Sequence, residues 1–116
     1  MKTVLVVDDE EDIRELVAKM LRHGGFDVLE AESGARASEV YAGNRVDVVV
    51  TDVVMEGESG PELGARLQHG SPELRVLYIS GCPNAHQEPQ TDRTAFLPKP
   101  FTVAELVGSV SELLTR

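Results

Sequence analysis

Buried strands alternate with amphipathic helices along the chain, and this alternation constrains the fold more than any other feature. Apolar runs at Thr3–Val7, Val46–Asp52 and Val76–Ile79 predict strands that are buried on both faces. The more alternating stretch Asp27–Ala31 predicts an edge strand, and Ala95–Leu97 predicts a short last strand. The sequence therefore predicts five strands.

Helix signals lie between these strands. Apolar residues at helical spacing predict the inward face of the first helix, made of Ile13, Leu16, Val17, Met20 and Leu21. Further helices are predicted after Ser33, Ser59 and Thr102, because each hydroxyl can cap a helix N-terminus. The core face of the last helix is predicted to be Val103, Leu106, Val107, Val110, Leu113 and Leu114.

Strands and helices in alternation predict parallel strand pairing with right-handed crossovers. We therefore expect residues 1–116 to form a single α/β domain, in which helices cover both faces of a doubly wound, five-stranded parallel sheet. The stretch Gly81–Arg93 breaks the rhythm, because it contains Pro83, Pro89 and mostly polar residues. It predicts a short, irregular or mobile segment.

The charge balance narrows the classes of function. The chain has 11 Lys and Arg against 20 Asp and Glu residues, which gives a net charge of −9, and it contains no Trp. Direct nucleic-acid binding is not expected, because it needs a basic face. No apolar run approaches the roughly 20 residues of a membrane span, and the first run is too short for a secretory signal. With Cys82 as the single cysteine, we expect a cytoplasmic protein without membrane insertion.

Polar side chains follow four of the predicted strands. Asp8 and Asp9 follow the first strand, Asp52 ends the third, Ser80 follows the fourth and Lys99 follows the fifth. Ligands of such sheets bind beyond the carboxyl ends of the strands. We therefore expect acids, a hydroxyl and an amine to meet at one edge of the sheet.

The residue types indicate the chemistry of this edge. Converging carboxylates repel one another, and Mg²⁺, which prefers oxygen ligands and keeps several waters, relieves that repulsion. Together with Lys99 and the Ser80 hydroxyl, such a cation would place Asp52 to attack phosphorus and form an acyl phosphate. Each residue alone has a structural alternative: Asp8-Asp9 as a helix cap, Asp52 as a turn residue, and the others as surface groups.

Several motifs carry a family resemblance. They are VLVVDDE at Val4–Glu10, VVVTD ending at Asp52, Met55, Gly60, ISG at Ile79–Gly81 and FLPKPF at Phe96–Phe101. Over essentially its whole length the chain resembles a receiver domain of two-component response regulators. The ISG and FLPKPF motifs resemble receivers at the C-terminal end of hybrid histidine kinases, from which this chain could be excised.

The resemblance implies a flavodoxin-like sheet of order 2-1-3-4-5 and a defined phosphoacceptor site. Asp52 would accept phosphate from a phosphohistidine on a histidine kinase or a histidine phosphotransfer domain. Asp9 and Asp52 would ligate Mg²⁺ with the Val54 carbonyl, and Asp8 would act largely through water. The implied role is that of a self-phosphorylating acceptor rather than an enzyme.

The resemblance also implies a conformational switch. Ser80 would hydrogen-bond the phosphoryl group, Lys99 would pair with it, and Phe96 matches the switch aromatic of the family. We expect Ser80 to move toward the phosphoryl group and the ring of Phe96 to turn into the space left behind. A cis peptide bond between Lys99 and Pro100 is expected, because it would aim the amine at Asp52.

Two departures from the family pattern stand out. Glu56 occupies the position after Met55 where the family usually has proline, which predicts a looser loop over Glu56–Ser59. The segment between Ser80 and Lys99 is short and lacks the usual pattern of a fourth helix. This second departure affects the signalling face rather than the phosphorylation site.

Other functional classes remain as alternatives. A phosphohydrolase with an aspartyl nucleophile would need a second acid two residues after Asp52, where this chain has Val54. A dinucleotide or flavin binder would need a glycine-rich loop after the first strand, and a degenerate receiver would act only as a binding module. The dispersed His23, His69 and His86 are interpreted as surface residues, and Cys82 as an inert thiol.

Overall fold

A five-stranded parallel sheet forms the centre of the computed structural model, which describes residues 1–81 and 93–116. The strands are β1 (Thr3–Val7), β2 (Asp27–Ala31), β3 (Val48–Asp52), β4 (Arg75–Ser80) and β5 (Thr94–Pro98). They lie in the order β2-β1-β3-β4-β5, which confirms the predicted sheet and places β2 at an edge.

In the described part of the chain, helices follow four of the strands and cover both faces of the sheet. The described part contains α1 (Glu11–His23), α2 (Gly34–Gly43), α3 (Gly60–Gly70) and α4 (Val103–Thr115). None of these four helices is long and apolar enough to span a membrane.

Successive strand residues point to opposite faces of the sheet, so the core has two layers. On one face, Val4 and Val6 of β1 pack in a cluster with Leu21 of α1 and Leu106 of α4. On the other face, Leu5 and Val7 pack in a cluster with Ala37 of α2 and Leu63 of α3. This arrangement explains why the central strands are apolar at every position rather than at alternate ones.

Side-chain caps fix the beginnings of three helices. The hydroxyls of Ser33, Ser59 and Thr102 each accept a hydrogen bond from the backbone N–H three residues later. Glu62 and Glu105 complete capping boxes by accepting from the N–H of the cap residue. All three predicted caps are confirmed.

Two residues predicted to lie in the core are exposed. Leu16 of α1 is 50% exposed and Val103, the first residue of α4, is 37% exposed. Other residues of the same predicted core faces, Leu21 and Leu106, are fully buried. Helical spacing identifies the inward side of a helix, but it does not show how far along the helix the contact with the sheet extends.

The prediction of an irregular segment over Gly81–Arg93 concerns mainly residues 82–92. These lie outside the described residues.

Candidate functional site

The carboxyl ends of four strands bring the predicted polar residues to one edge of the sheet. Asp8 directly follows β1, Asp52 and Ser80 are the last residues of β3 and β4, and Lys99 directly follows β5. The register aligns these ends, because Val7 pairs with Thr51, Asp52 with Ile79 and Ser80 with Pro98. Parallel pairing alone therefore places the four side chains at one rim.

Asp52 and Lys99 form the central contact of this rim. Lys99 Nζ lies 3.2 Å from Asp52 Oδ2, and the Asp52 side chain is 11% exposed. The Val54 N–H lies 3.4 Å from Asp52 Oδ1. The Lys99 N–H donates to the Ser80 carbonyl at 2.8 Å, and the following Lys99–Pro100 bond is cis, as predicted.

Asp8 is a buried carboxyl group beside this pair. Its Oδ1 accepts a hydrogen bond from the Glu10 N–H at 2.9 Å, and the residue is 5% exposed. Burial raises the pKa of Asp8 above its usual value, and the negative charges of Asp52 and Asp9 raise it further. The Glu10 hydrogen bond and the Lys99 charge only partly oppose this rise. The crowding of like charges predicted from the sequence is therefore present around Asp8.

Asp9 occupies a different position from Asp8. It is exposed, and its Oδ2 accepts a hydrogen bond from the backbone N–H of Glu56 at 2.9 Å. Within residues 1–81 and 93–116, no group of three or more acidic, His or Cys side chains is arranged to hold a metal ion. The structure thus brings Asp8, Asp52 and Lys99 together, and it places the Asp9 carboxylate against the loop between β3 and α3.

The loop between β3 and α3 starts directly at Asp52 and is held close to it. The Gly60 N–H donates to the Val53 carbonyl at 2.9 Å. A Cβ atom at Gly60 would overlap the Asp52 carbonyl oxygen, so only glycine permits this close approach. Gly57 has a φ of +82°, a conformation that also favours glycine. Glu58 forms an ion pair with Arg66 of α3, which fixes the far end of the loop.

Ser80 lies at the end of β4, the strand next to that of Asp52, and Phe96 lies on β5, the strand after it. Ser80 is 4% exposed. Phe96 is half-buried, and its ring stacks on Tyr78 with centroids 5.1 Å apart and planes inclined by 28°. Tyr78 in turn reaches α3, because its hydroxyl occupies the place where a Cβ at Gly64 would lie. An aromatic contact thus connects β5 to α3 close to the site.

An apolar groove adjoins the site on the side of α1. It encloses about 250 Å³, and Leu16, Met20, Pro100 and Phe101 are among the residues that line it. Lys99 lines the same groove and also contacts Asp52. The exposed Leu16 is therefore part of a surface that continues into the polar rim.

Sequence reasoning missed three features of the site. These are the Glu56 N–H contact with Asp9, the ion pair of Glu58 with Arg66, and the Tyr78 ring. For Tyr78 a signal was available, because it lies two residues before Ser80 and so points to the same face of the strand. The other two contacts join separate elements and leave no periodic signal in the sequence.

Comparisons with known proteins agree with the fold and the motifs. The family model of the response regulator receiver domain matches residues 4–111. The chain is 37% identical over 119 residues to the sensor kinase CckA of Brucella abortus, covering 98% of this chain and 13% of that protein. It is 30% identical over 117 residues to the response regulator receiver protein CpdR of the same organism, covering 98% of both.

A solved structure shows the same architecture. It is the response regulator protein TrrA from Thermotoga maritima in complex with Mg²⁺-BeF, with a TM-score of 0.88 and 28% identity over 97% of this chain and 99% of that one. The match of the family model, the sheet order and the polar rim lead to one conclusion: the chain belongs to the response regulator receiver domain family of two-component signalling.

Proposed function

We propose that Asp52 accepts a phosphoryl group from a phosphohistidine. A carboxylate oxygen of Asp52 attacks phosphorus, the phosphorus–nitrogen bond breaks, and the imidazole leaves. The observation that carries this proposal is the contact of Lys99 Nζ with Asp52 Oδ2 at 3.2 Å. The amine is placed to pair with phosphoryl oxygens, whose negative charge it offsets.

The residues of the rim fit Mg²⁺ as the cofactor. All candidate ligands are oxygens, as this cation prefers. Burial, and after it the negative charges of Asp52 and Asp9, raise the pKa of Asp8, and a bound cation would relieve this crowding of like charges. Asp9, Asp52 and the Val54 carbonyl would hold the ion, with Asp8 acting through water. The bound ion would neutralise charge on the phosphoryl group. The complex of TrrA with Mg²⁺-BeF supports this assignment by analogy.

The phosphate donor would be a histidine kinase or a histidine phosphotransfer domain. A protein donor must approach Asp52 closely, and the groove that shares Lys99 with the site offers apolar contact area beside it. Leu16, exposed on this surface, is the side chain that such a donor would cover. The chain covers 13% of CckA and 98% of CpdR. Both a domain within a hybrid kinase and a stand-alone receiver therefore agree with these matches.

Phosphorylation would be read out through Ser80 and Phe96. Ser80 would donate its hydroxyl to the new phosphoryl group, and the ring of Phe96 would leave its stack on Tyr78. The surface that the domain offers to an output partner would then change on β5 and α4. Without such a change the domain would serve as a phosphate sink or as a relay.

The cytoplasmic location of the protein stays a prediction.

The experiment that tests this function is intact-mass spectrometry after incubation with acetyl phosphate and Mg²⁺. The wild type should gain one phosphoryl group, and Asp52→Ala should gain none. A persistent adduct on Asp52→Ala would show that another residue accepts phosphate. A wild type that gains nothing would support the degenerate receiver. Turnover of a generic phosphate ester would favour a phosphohydrolase, although Val54 offers no second acid.

A further inference from the structure

A hydrogen bond from Arg14 holds the peptide group that joins Asp8 to Asp9. The guanidinium of Arg14, near the start of α1, donates through Nη1 to the Asp8 carbonyl oxygen, and the two atoms are 3.1 Å apart. Because the peptide group is planar, a carbonyl oxygen that is held in place also fixes the orientation of the Asp9 nitrogen. Arg14 therefore acts on the short connection between the two acids that the proposed function assigns to Mg²⁺.

The other hydrogen bonds of Asp8 hold different groups. Its N–H donates to the Ala31 carbonyl at 3.2 Å, which fixes the peptide group before Asp8. Its Oδ1 accepts from the Glu10 N–H at 2.9 Å, which fixes the side chain. The hydrogen bond from Arg14 acts on the peptide group after Asp8, beyond the end of β1.

An ion pair fixes the position of Arg14 itself. Arg14 Nε lies 3.4 Å from Glu30 Oε1 on β2, and the Arg14 side chain is only 14% exposed. Because the guanidinium is a rigid plane, contacts at Nε and at Nη1 together define its orientation. Asp8 is buried, and a buried carbonyl that loses its donor costs free energy. Without Arg14 the peptide group after Asp8 would turn toward water, and Asp9 would turn with it.

We propose that Arg14 is a positioning residue for the Mg²⁺ site, because it holds the peptide group between Asp8 and Asp9. This inference rests on the proposed function, since that function assigns both acids to the metal. Carboxylates that are already oriented lose less conformational freedom when a ligand binds, and groups that orient metal ligands add to the affinity for the metal. Loss of Arg14 should weaken Mg²⁺ binding by about threefold to tenfold, as expected for one hydrogen bond of ordinary net strength.

The positive charge of Arg14 has the opposite effect on a cation. A guanidinium beside the site repels Mg²⁺, so removal of the charge alone should tighten Mg²⁺ binding. A role in overall stability alone should leave the Mg²⁺ affinity of the folded protein unchanged. Weaker binding on loss of Arg14 is therefore the result that only the positioning role predicts.

The test compares Arg14→Met with Arg22→Met in a titration with Mg²⁺ alone, followed by the amide shifts of the site in NMR spectra. Arg22 is the matched control, because it lies on the same helix and pairs with the same carboxylate of Glu30 at 3.5 Å, but its backbone contact is the Val28 carbonyl. Arg14→Met should bind Mg²⁺ about threefold to tenfold more weakly than wild type, and Arg22→Met equally or more tightly. Equal or tighter binding by Arg14→Met overturns the proposal, and so does an equal loss in both variants.

A second measurement uses the wild type and does not depend on the folding of a variant. The Nη protons of Arg14 should give separate, slowly exchanging NMR signals with and without Mg²⁺, because the contacts with Asp8 and Glu30 restrict rotation of the guanidinium. Averaged signals in the Mg²⁺-bound protein overturn the proposal.

Two outcomes separate the role of Arg14 from the proposed function. If wild type binds Mg²⁺ and Arg14→Met binds it equally well, the positioning role fails and the metal site stands. If Asp52→Ala still takes phosphate from acetyl phosphate, the acceptor assignment fails, whatever the Mg²⁺ titration gives. A wild type that does not bind Mg²⁺ overturns both the metal site and the role of Arg14.

Discussion

Glu58 and Arg66 form a two-pronged ion pair across the end of the loop between β3 and α3. Arg66 Nε lies 2.9 Å from Glu58 Oε2, and Nη2 lies 2.6 Å from Oε1. The same guanidinium donates to the hydroxyl of Ser38 on α2. This arrangement matches the planar fork of arginine to a carboxylate. It joins the end of this loop to α3 and α2, and the looser loop expected from the missing proline after Met55 stays a prediction.

Arg66→Met should therefore destabilise the fold. It removes the paired hydrogen bonds but keeps an unbranched apolar stem. Both partners are partly exposed, with 45% of Arg66 and 28% of Glu58 accessible, so solvent screening reduces the effect. We expect the free energy of unfolding to fall by about 1 kcal/mol, near the upper end for surface pairs. Urea denaturation measures it.

The control is Arg36→Met on α2, whose ion pair with Glu39 has a longer distance of 3.6 Å and greater exposure. It should change the free energy of unfolding by less than about 0.5 kcal/mol. Equal effects of the two substitutions would contradict a special role for Arg66.

The contribution of Glu58 to stability should depend on pH. Hydrogen bonds from Arg66 hold the pKa of Glu58 below its usual value of 4.5. A lowered folded-state pKa means that this stabilisation is complete above the unfolded-state pKa and is lost as the pH falls through the folded-state value. The stability difference between wild type and Arg66→Met should thus persist at about pH 7 and shrink below about pH 4. A difference that stays constant on acidification would contradict the ion pair as its source.

The rim of the sheet could be predicted because its determinants are local. Four of the strands were visible as apolar runs and the edge strand as an alternating stretch, and parallel pairing then fixed where Asp52 and Lys99 would meet. The caps at Ser59 and Thr102 were predictable for the same reason, since a hydroxyl and an acid three residues later suffice.

Contacts that join separate elements could not be predicted in this way. Glu56 and Asp9 meet only because the loops after β3 and β1 lie side by side. The exposure of Leu16 depends on what packs over α1, which helical spacing does not encode. These features depend on how separate elements pack together. They affect the contacts and exposure around the site rather than its location in the fold.

Lys99→Met should slow phosphorylation of Asp52. The amine lies against Asp52 Oδ2 and is the cation proposed to offset phosphoryl charge, while Mg²⁺ binding should persist. Loss of one such group slows related reactions by about a hundredfold; we expect at least about a tenfold decrease in the rate with acetyl phosphate. A time course of intact mass measures it. Lys19→Met, on the exposed face of α1, is the control, and equal rates for both variants would contradict the role of Lys99.

Leu16→Asp should separate the donor surface from the phosphorylation chemistry. Because Leu16 is 50% exposed, the substitution should cost little stability, whereas Leu21→Ala in the buried core should cost about 2–5 kcal/mol. Phosphorylation by acetyl phosphate should be unchanged, and transfer from a phosphohistidine partner should slow. Val103→Asp, at an exposed apolar position of α4, is the control. Equal transfer to wild type and Leu16→Asp would show that the donor docks elsewhere.

Phosphorylation should change the stack of Phe96 on Tyr78. The rings are 5.1 Å apart, and they lie on β5 and β4, where Ser80 must move to donate its hydroxyl to the phosphoryl group. Beryllofluoride with Mg²⁺ mimics that group and should shift the ring signals of both residues and the amides of α4. NMR spectra with and without beryllofluoride, with Asp52→Ala as the control that cannot respond, measure the change. If only the neighbours of Asp52 shift, the domain accepts phosphate without switching, and a role as relay or phosphate sink is favoured.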